Sequence, residues 1–409
     1  MSAPPTFYLC VDCGGTKTAA VLCSSTGAIV GRARAGPSNY AYLGLANFVA
    51  TVRHAIGLVL SAALALPDPS TPLALPVTND IDANGAPVPP FALGAAWFAI
   101  SGVDSPVDIA RLTPALAELL RIPAGPRLSI TNDVHLLAAP VRMRADVRSA
   151  VGCIGGTGSI IVSFAEDTSA TPSAEGEGKA PPLVELARTG GWGWILGDEG
   201  GGFDVGRTAL RTLLVQRDAE SAGVPLPPPI GAGKGLRERV LRRFGISDIL
   251  DVLAIVHLPD PVDVEQEMKK EAEAKEARGA GKAVEEAVYD PRAHAREKRL
   301  SALSPLVFQA AFEDGDPLAL QVLKECAKKL ADQVATVLAA PDAEPSPKRV
   351  RAASSILSVG GSVVSIDKYR ALVLDALKEK GHVFKYVEVV DDAAAAGAKA
   401  LVVTWEGSI

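Results

Sequence analysis

Short apolar runs that stop at glycine turns set the rhythm of this chain. Residues 7–13, 19–24 and 28–35 are three such runs of strand length, with Gly27 marking the second turn, and they predict a β-meander. A longer apolar stretch at about 44–66 predicts a helix. Residues 67–90, rich in Pro, Asp, Asn and Thr, predict a surface insertion. Then come a buried strand at 92–101, a helix at 108–120 and a strand at 127–131, a β-β-β-α-β-α-β order that ends at Asp133. The pattern restarts with runs at 150–154, 160–165 and 183–188, around a Ser/Glu/Gly-rich loop at 166–182. Helices at about 203–216 and 303–340, a strand at 354–359, a helix at 367–380, a strand at 384–389 and an Ala-rich helix at 393–403 complete it. The architecture repeats although the residues do not, which predicts an α/β chain of two lobes.

Three strand ends carry glycine-rich turns. They are Asp12-Cys13-Gly14-Gly15-Thr16-Lys17-Thr18, Gly155-Gly156-Thr157-Gly158-Ser159 and Gly360-Gly361-Ser362. One such turn says little, because glycine serves any tight loop. Two Gly-Gly-Thr turns, each between strand-like runs, point to a duplicated hairpin that grips one polyanion from both sides. Backbone amides reach phosphate oxygens where no Cβ intervenes, and the threonine hydroxyls add donors. Asp12 at the first strand's end suits Mg²⁺ held through water, since that ion keeps much of its hydration shell; a turn-initiating Asp is the plain alternative. Asp133 ends the last strand of the first half and opens a helix, a position facing a cleft, so it is the candidate general base toward a hydroxyl. The competing role is an N-cap, which Asn132 could fill instead.

These motifs resemble the N-acetylglucosamine kinase branch of the BadF/BadG/BcrA/BcrD-type ATPase family, within the actin and hexokinase superfamily. The most specific piece is Gly190-Gly191-Trp192-Gly193-Trp194-Ile195-Leu196-Gly197-Asp198-Glu199-Gly200-Gly201. Ile100-Ser101-Gly102 and Thr131-Asn132-Asp133 fall in family order between the two phosphate turns, and the matching motifs span 7–206 and about 354–405. The resemblance implies a two-lobed actin-like ATPase (ribonuclease H-like) fold, with βββαβα lobes at 1–138 and 139–409 and an interlobe cleft. The second lobe carries an insertion at 223–300 without a family counterpart.

The same resemblance implies ATP and Mg²⁺ as cofactors. Gly14, Gly15, Thr16 and Lys17 would meet the phosphates, Gly156, Thr157 and Gly158 would form the opposite clamp, and Gly360, Gly361 and Ser362 the adenosine turn. Asn39, Asp133, Ser159, Gly191, Trp192, Gly193 and Asp198 would contact a sugar. Glu199 is a second metal or hydroxyl ligand, or a helix-start carboxylate favoured by the dipole. The implied reaction is phosphorylation of the 6-hydroxyl of N-acetylglucosamine. One departure is Ile160, which stands where the vertebrate-like pattern carries a polar residue. Glucosamine or N-acetylmuramate kinase activity is the same-fold alternative. An ATPase activator of a radical dehydratase would need cysteines for an iron–sulfur cluster, a ligation that Cys153 and Cys326 do not supply. A non-catalytic sugar sensor is opposed by the joint retention of Asp12, Asp133 and Asp198.

Composition narrows this further. A length of 409 residues with 48% hydrophobic content suits two folded domains, and a net charge of −6 argues against a general nucleic-acid binder. No signal peptide is visible at residues 1–6, and the apolar run at 56–66 is too short to span a bilayer. The expectation is a soluble cytoplasmic protein whose partners are small molecules, with no membrane or nucleic acid and a homodimer left open. Cys10 and Cys13 form a C-x-x-C, but residues three apart on a strand point to opposite faces, so all five cysteines read as structural thiols. The histidines are scattered and propose no zinc site. Charged residues 265–299 read as a solvated helix or partial disorder, against a docking segment. Residues 231–235 only partly match a phosphate-binding loop and are rejected as one.

Overall fold

The computed structural model describes residues 4–77, 90–167, 180–226, 228, 230–231, 233–261, 289–343 and 346–407. Its first sheet holds β1 (Thr6–Cys13), β2 (Thr18–Ser24), β3 (Ile29–Ala35), β4 (Ala92–Ile100) and β5 (Leu128–Thr131), in the order β3-β2-β1-β4-β5. The second holds β6 (Ser149–Gly155), β7 (Ser159–Glu166), β8 (Leu183–Gly190), β9 (Ile356–Gly360) and β10 (Tyr386–Val389), in the order β10-β9-β6-β7-β8. Both sheets therefore follow one plan. The first three strands form an antiparallel meander, and the last two add in parallel on the other side of the first. The expected duplication is present in the topology itself.

Parallel neighbours need long crossovers. In the first lobe these are α1 (Tyr40–Ala63) and α2 (Pro106–Leu120). Phe48, Val52, Ala55, Ile56, Val59 and Leu60 recur at helical spacing along α1 and enter the core beneath the sheet. That helix is long and apolar enough to cross a membrane by length and composition, yet this face is packed against strands. In the second lobe the crossovers carry α3 (Gly202–Ser221), α4 (Leu236–Phe244), α5 (Val252–Val256), α6 (Arg296–Ser301), α7 (Ser304–Phe312), α8 (Pro317–Thr336) and α9 (Asp367–Glu379).

Three expectations need correction. The helix foreseen at 303–340 is two helices, because Asp316 caps a new start by accepting from Leu318 N, with Pro317 at the first helical position. Part of the presumed surface insertion is packed rather than free: 67–70 are exposed, but Leu73 and Leu75 are buried, and Leu73 N donates to Gly57 O at 3.1 Å. Its remainder, 78–89, lies outside the described residues, as does 265–288 of the charged tract. Within the described part of that tract, Arg299 is fully buried rather than solvated. Its guanidinium donates to the carbonyls of Leu258, Pro259 and Pro291, which satisfies the fork that burial would otherwise strand.

After β5 the chain enters a 3₁₀ stretch, Asp133–Met143, and after β10 it enters α10 (Ala393–Glu406). Each crosses to the opposite lobe. Val134, Leu137 and Ala138 join Val162 and Phe164 of β7, whereas Ala394, Ala398, Leu401 and Val402 join Tyr8, Cys10, Val21 and Cys23. The last helix packs on the first sheet. Cys10 and Cys13 lie in cores on opposite faces of that sheet, and all five cysteines are buried and unpaired.

The crossing point is tight. A Cβ on Gly397 would lie 2.5 Å from Cys10 Sγ and 2.7 Å from Leu136 Cδ2. Gly397→Val should therefore lower unfolding free energy by about 1–3 kcal/mol, the usual cost of overpacking. Urea denaturation checks this, and an unchanged midpoint would mean that the lobes re-angle without cost.

Candidate active site between the lobes

In the first lobe the β1–β2 turn is fastened to the segment before α1. Gly14 N donates to Lys17 O and Ser38 N to Gly14 O, both at 3.0 Å, while Thr18 Oγ1 lies 2.7 Å from Gly36 O and 2.6 Å from Ser38 Oγ. Thr16 and Lys17 are exposed, and Gly14 and Gly15 half-buried. No protein atom crowds the Cα of Gly15, so its lack of a side chain leaves backbone open rather than serving packing. Asp12 is half-buried below this turn. Burial first, then the charge of Asp133, raise its carboxyl to about 6, against a lowering pull from Lys17.

Asn39 caps α1, its Oδ1 accepting from Tyr42 N at 3.3 Å, and its Nδ2 donates to Ser101 Oγ at 3.1 Å. Asn132 caps the 3₁₀ stretch through Val134 N at 3.1 Å and donates to Asp104 Oδ1 at 2.9 Å. The cap thus falls on Asn132. Burial raises the Asp133 carboxyl above its ordinary value, while the Val134 amide and the Ser101 hydroxyl pull it back.

In the second lobe the other two glycine turns meet. Val363 N and Val364 N donate to Gly155 O at 2.8 and 3.0 Å, which lays Gly361 and Ser362 against Gly156. Gly202 N and Phe203 N, opening α3, donate to the carbonyls of Gly156 and Thr157 at 2.8 and 2.9 Å. Thr157 and Ser362 are exposed. Gly158 leaves room for the buried carboxyl of Asp198, which accepts from Ser159 N at 3.2 Å and is raised by burial. Ser159 Oγ donates to Glu199 O at 2.8 Å. Gln333 on α8 donates to the same carbonyl at 3.2 Å and to Glu199 Oε2 at 3.4 Å. Glu199 is therefore tied into this lobe, away from Asp12.

The turn after Asp198 is anchored at Gly200, whose φ of +78° and approach to Leu330 at 2.5 Å from a notional Cβ exclude other residues. Its N donates to Asp204 Oδ2 at 3.0 Å and its O accepts from Tyr369 Oη at 2.8 Å. Asp204 is fully buried, and its pairing with Lys329 Nζ and Arg207 Nη2, each at 3.2 Å, helps to hold its carboxyl below the ordinary range. Sequence reasoning missed Ser101, Asp204, Gln333 and Tyr369 as supports.

Trp192 is not packed among these polar groups. With Ile195 and Leu196 it stands on an exposed rim, 64% accessible, beyond the turn at Gly190, Gly191 and Gly193. Ile160 packs against Gly191 instead. Side-chain contacts link the lobes beside Asp133: Arg188 of β8 lies 3.7 Å from Asp104, and Glu185 of β8 lies 3.2 Å from His135 Nε2. Hydrogen bonding by His135, with help from Arg188, lowers the Glu185 carboxyl to about 2. Among the described residues no group of three or more His, Cys, Asp or Glu could hold a metal ion.

The duplicated sheet plan, with an equivalent glycine turn after the first strand of each meander, defines the class: a two-lobed actin-like fold. No family model matches the chain. The chain is 24% identical over 331 residues, 81% of it and 79% of the relative, to the N-acetyl-D-glucosamine kinase of Dictyostelium discoideum. It is also 24% identical over 212 residues, 52% of it and 48% of the relative, to an N-acetylmuramic acid/N-acetylglucosamine kinase of Clostridium acetobutylicum. A Porphyromonas gingivalis structure provisionally named N-acetylglucosamine kinase matches at TM-score 0.56 and 18% identity, over 97% of this chain and 98% of that one. The resemblance seen in the motifs is met by these relatives.

Asp204→Ala should cost about 3 kcal/mol, because it strands Lys329 and the Gly200 amide. A carboxyl with a depressed folded pKa contributes fully above its unfolded value, and that contribution fades as pH falls through the folded one. The gap between wild type and variant should thus be complete at neutral pH and shrink below the ordinary carboxylate value of 3.8. Urea unfolding at several pH values measures it, and a pH-independent gap would contradict an ionised Asp204.

Proposed function

We propose that the chain is an ATP-dependent sugar kinase that converts N-acetylglucosamine and MgATP to N-acetylglucosamine 6-phosphate and ADP. The observation that carries this reading is Asp133: freed from capping by Asn132 and first in the stretch that crosses from one sheet to the other. Gly14, Gly15, Thr16 and Lys17 on one side and Gly156, Thr157 and Gly158 on the other hold the triphosphate. Gly360, Gly361 and Ser362 carry the adenosine. Asn39, Ser159 and Asp198 bind sugar hydroxyls, and Gly191, Trp192 and Gly193 close over the acetamido group. Asp133 accepts the hydroxyl proton as the sugar oxygen bonds to the γ-phosphorus and the bridging bond breaks, its electrons leaving on ADP.

Asp12 fits a role beside Mg²⁺. Burial and repulsion from Asp133 raise its carboxyl, a cost that a nearby cation relieves. No group of three ligating side chains lies among the described residues, which suits an ion that would arrive on phosphate oxygens with its own water. When bound, it neutralises charge on the phosphoryl group. The lobes at 1–138 and 139–409, with α10 returning to the first, and a cytoplasmic setting complete the reading. N-acetylmuramate is a second acceptor worth weighing, because the exposed rim at Trp192, Ile195 and Leu196 leaves space for a bulkier substituent.

Asp133→Asn should lower kcat by roughly 10²–10⁴-fold with nucleotide affinity nearly intact; activity near wild type would return Asp133 to a structural role. Across sugars, kcat/KM with MgATP should favour N-acetylglucosamine over glucose by the lower part of roughly 10–200-fold, the reach of an apolar contact with a methyl group. Glucose or glucosamine at parity would end the specificity claim and leave the kinase. No sugar-dependent ADP release at all would end both.

A further inference from the structure

We infer that Glu185 and Arg188, both on β8 of the second lobe, are positioning residues for the candidate base Asp133 of the first. This rests on the kinase reading above and gives a role to two side chains that touch no reacting atom. On a regular strand, residues three apart point to opposite faces. In β8 they do not, because the strand carries a bulge: Glu185 pairs with Phe164 and Ala187 with Ser163, which leaves Leu186 as an extra residue. Leu186 and Ala187 therefore both turn to the large core of the second lobe. Glu185 and Arg188 lie across from Phe164 and Val162, whose side chains pack with Val134, Leu137 and Ala138 of the 3₁₀ stretch. The bulge thus aims both charges at the segment that begins with Asp133.

There they hold both ends of one turn. It closes over Asp133 through two bonds: Val134 N donates to Asn132 Oδ1 and His135 N to Asn132 O, each at 3.1 Å. At the far end His135 rests edge-on against Phe164, with ring centres 5.0 Å apart, and its Nε2 lies 3.2 Å from Glu185 Oε2. A carboxylate only accepts, so the imidazole donates. At the near end Asn132 Nδ2 donates to Asp104 Oδ1 at 2.9 Å, and Arg188 Nη1 stands 3.7 Å from that oxygen. Arg188 closes the ring by donating from Nε and Nη2 to Glu185 Oε1 and Oε2, at 3.2 and 3.3 Å. Glu185 and Arg188 keep 30% and 35% of their side-chain surface accessible, so these contacts add little stability. Their effect is on placement: the turn that carries the base is set from the opposite lobe.

The test is steady-state kinetics on the full chain with N-acetylglucosamine and MgATP. The variants are Glu185→Ala, Glu185→Gln, Arg188→Ala, His135→Ala and the double Glu185→Ala with His135→Ala. Glu185→Ala and Arg188→Ala should each lower kcat about tenfold, the usual effect of losing one charged hydrogen bond. The KM for MgATP should stay within about threefold, since that site is untouched. Glu185→Gln keeps an acceptor for His135 and should recover most of kcat. Because Glu185 and His135 act along one path, the double variant should be no slower than Glu185→Ala alone. Wild-type kcat in Glu185→Ala or Arg188→Ala overturns the inference and leaves the kinase reading standing. So does a Glu185→Gln enzyme no better than Glu185→Ala, and so do losses that multiply in the double variant. A wild-type chain without sugar-dependent turnover removes the kinase reading and this role together.

Discussion

The cleft depends on the crossed packing of two segments at the middle of the molecule. The stretch after β5 leans on the second sheet, with Leu137 against Gly152 and Gly360, and α10 leans on the first, with Gly397 against Cys10 and Leu136. Small residues let the backbones approach closely, so the angle between lobes is set by hard contacts rather than by a loose linker. Asp133 is the first residue of one crossing segment and Asp392 caps the other through Ala395 N at 2.9 Å. The candidate base is thus fixed by the same crossing that fixes the lobes.

Electrostatics divide the site in two. On the first lobe Asp12 feels both Asp133 and Asp392 as like charges, a repulsion that a cation or a positively charged ligand environment would relieve. On the second lobe the acidic groups are already answered: Asp204 by Lys329, Asp198 by a backbone amide, and Glu199 by Gln333. The first set is therefore unstable alone and suited to ligand chemistry, and the second is a finished scaffold that presents one carboxyl, Asp198.

The strand plan and the turns were legible because they depend on local rules. Apolar runs of strand length predicted the two meanders and glycine marked the strand ends, whereas Asn and Asp cap equally well, so only the structure separated Asn132 from Asp133. The opposite facing of Cys10 and Cys13 followed from strand geometry alone. What escaped depends on partners remote in sequence. An Ala-rich helix does not say which sheet it will cover, and α10 covers the first. Arg299 looked like a solvated charge because its three carbonyl partners come from other turns. Tyr369, Gln333 and Asp204 support the Asp198 turn from separate helices. Trp192 carried a family motif, yet its exposure shows that a motif names a residue without placing it.

The central claim is that one triphosphate lies between the two equivalent turns with the acceptor hydroxyl at Asp133. A crystal structure with a non-hydrolysable ATP analogue, Mg²⁺ and N-acetylglucosamine tests it most directly. The account predicts phosphate oxygens between residues 14–17 and 156–158 and adenosine against Gly361. It also places the sugar 6-hydroxyl within about 2.6–3.2 Å of an Asp133 oxygen. A nucleotide bound elsewhere, or a 6-hydroxyl turned away from Asp133, would contradict it.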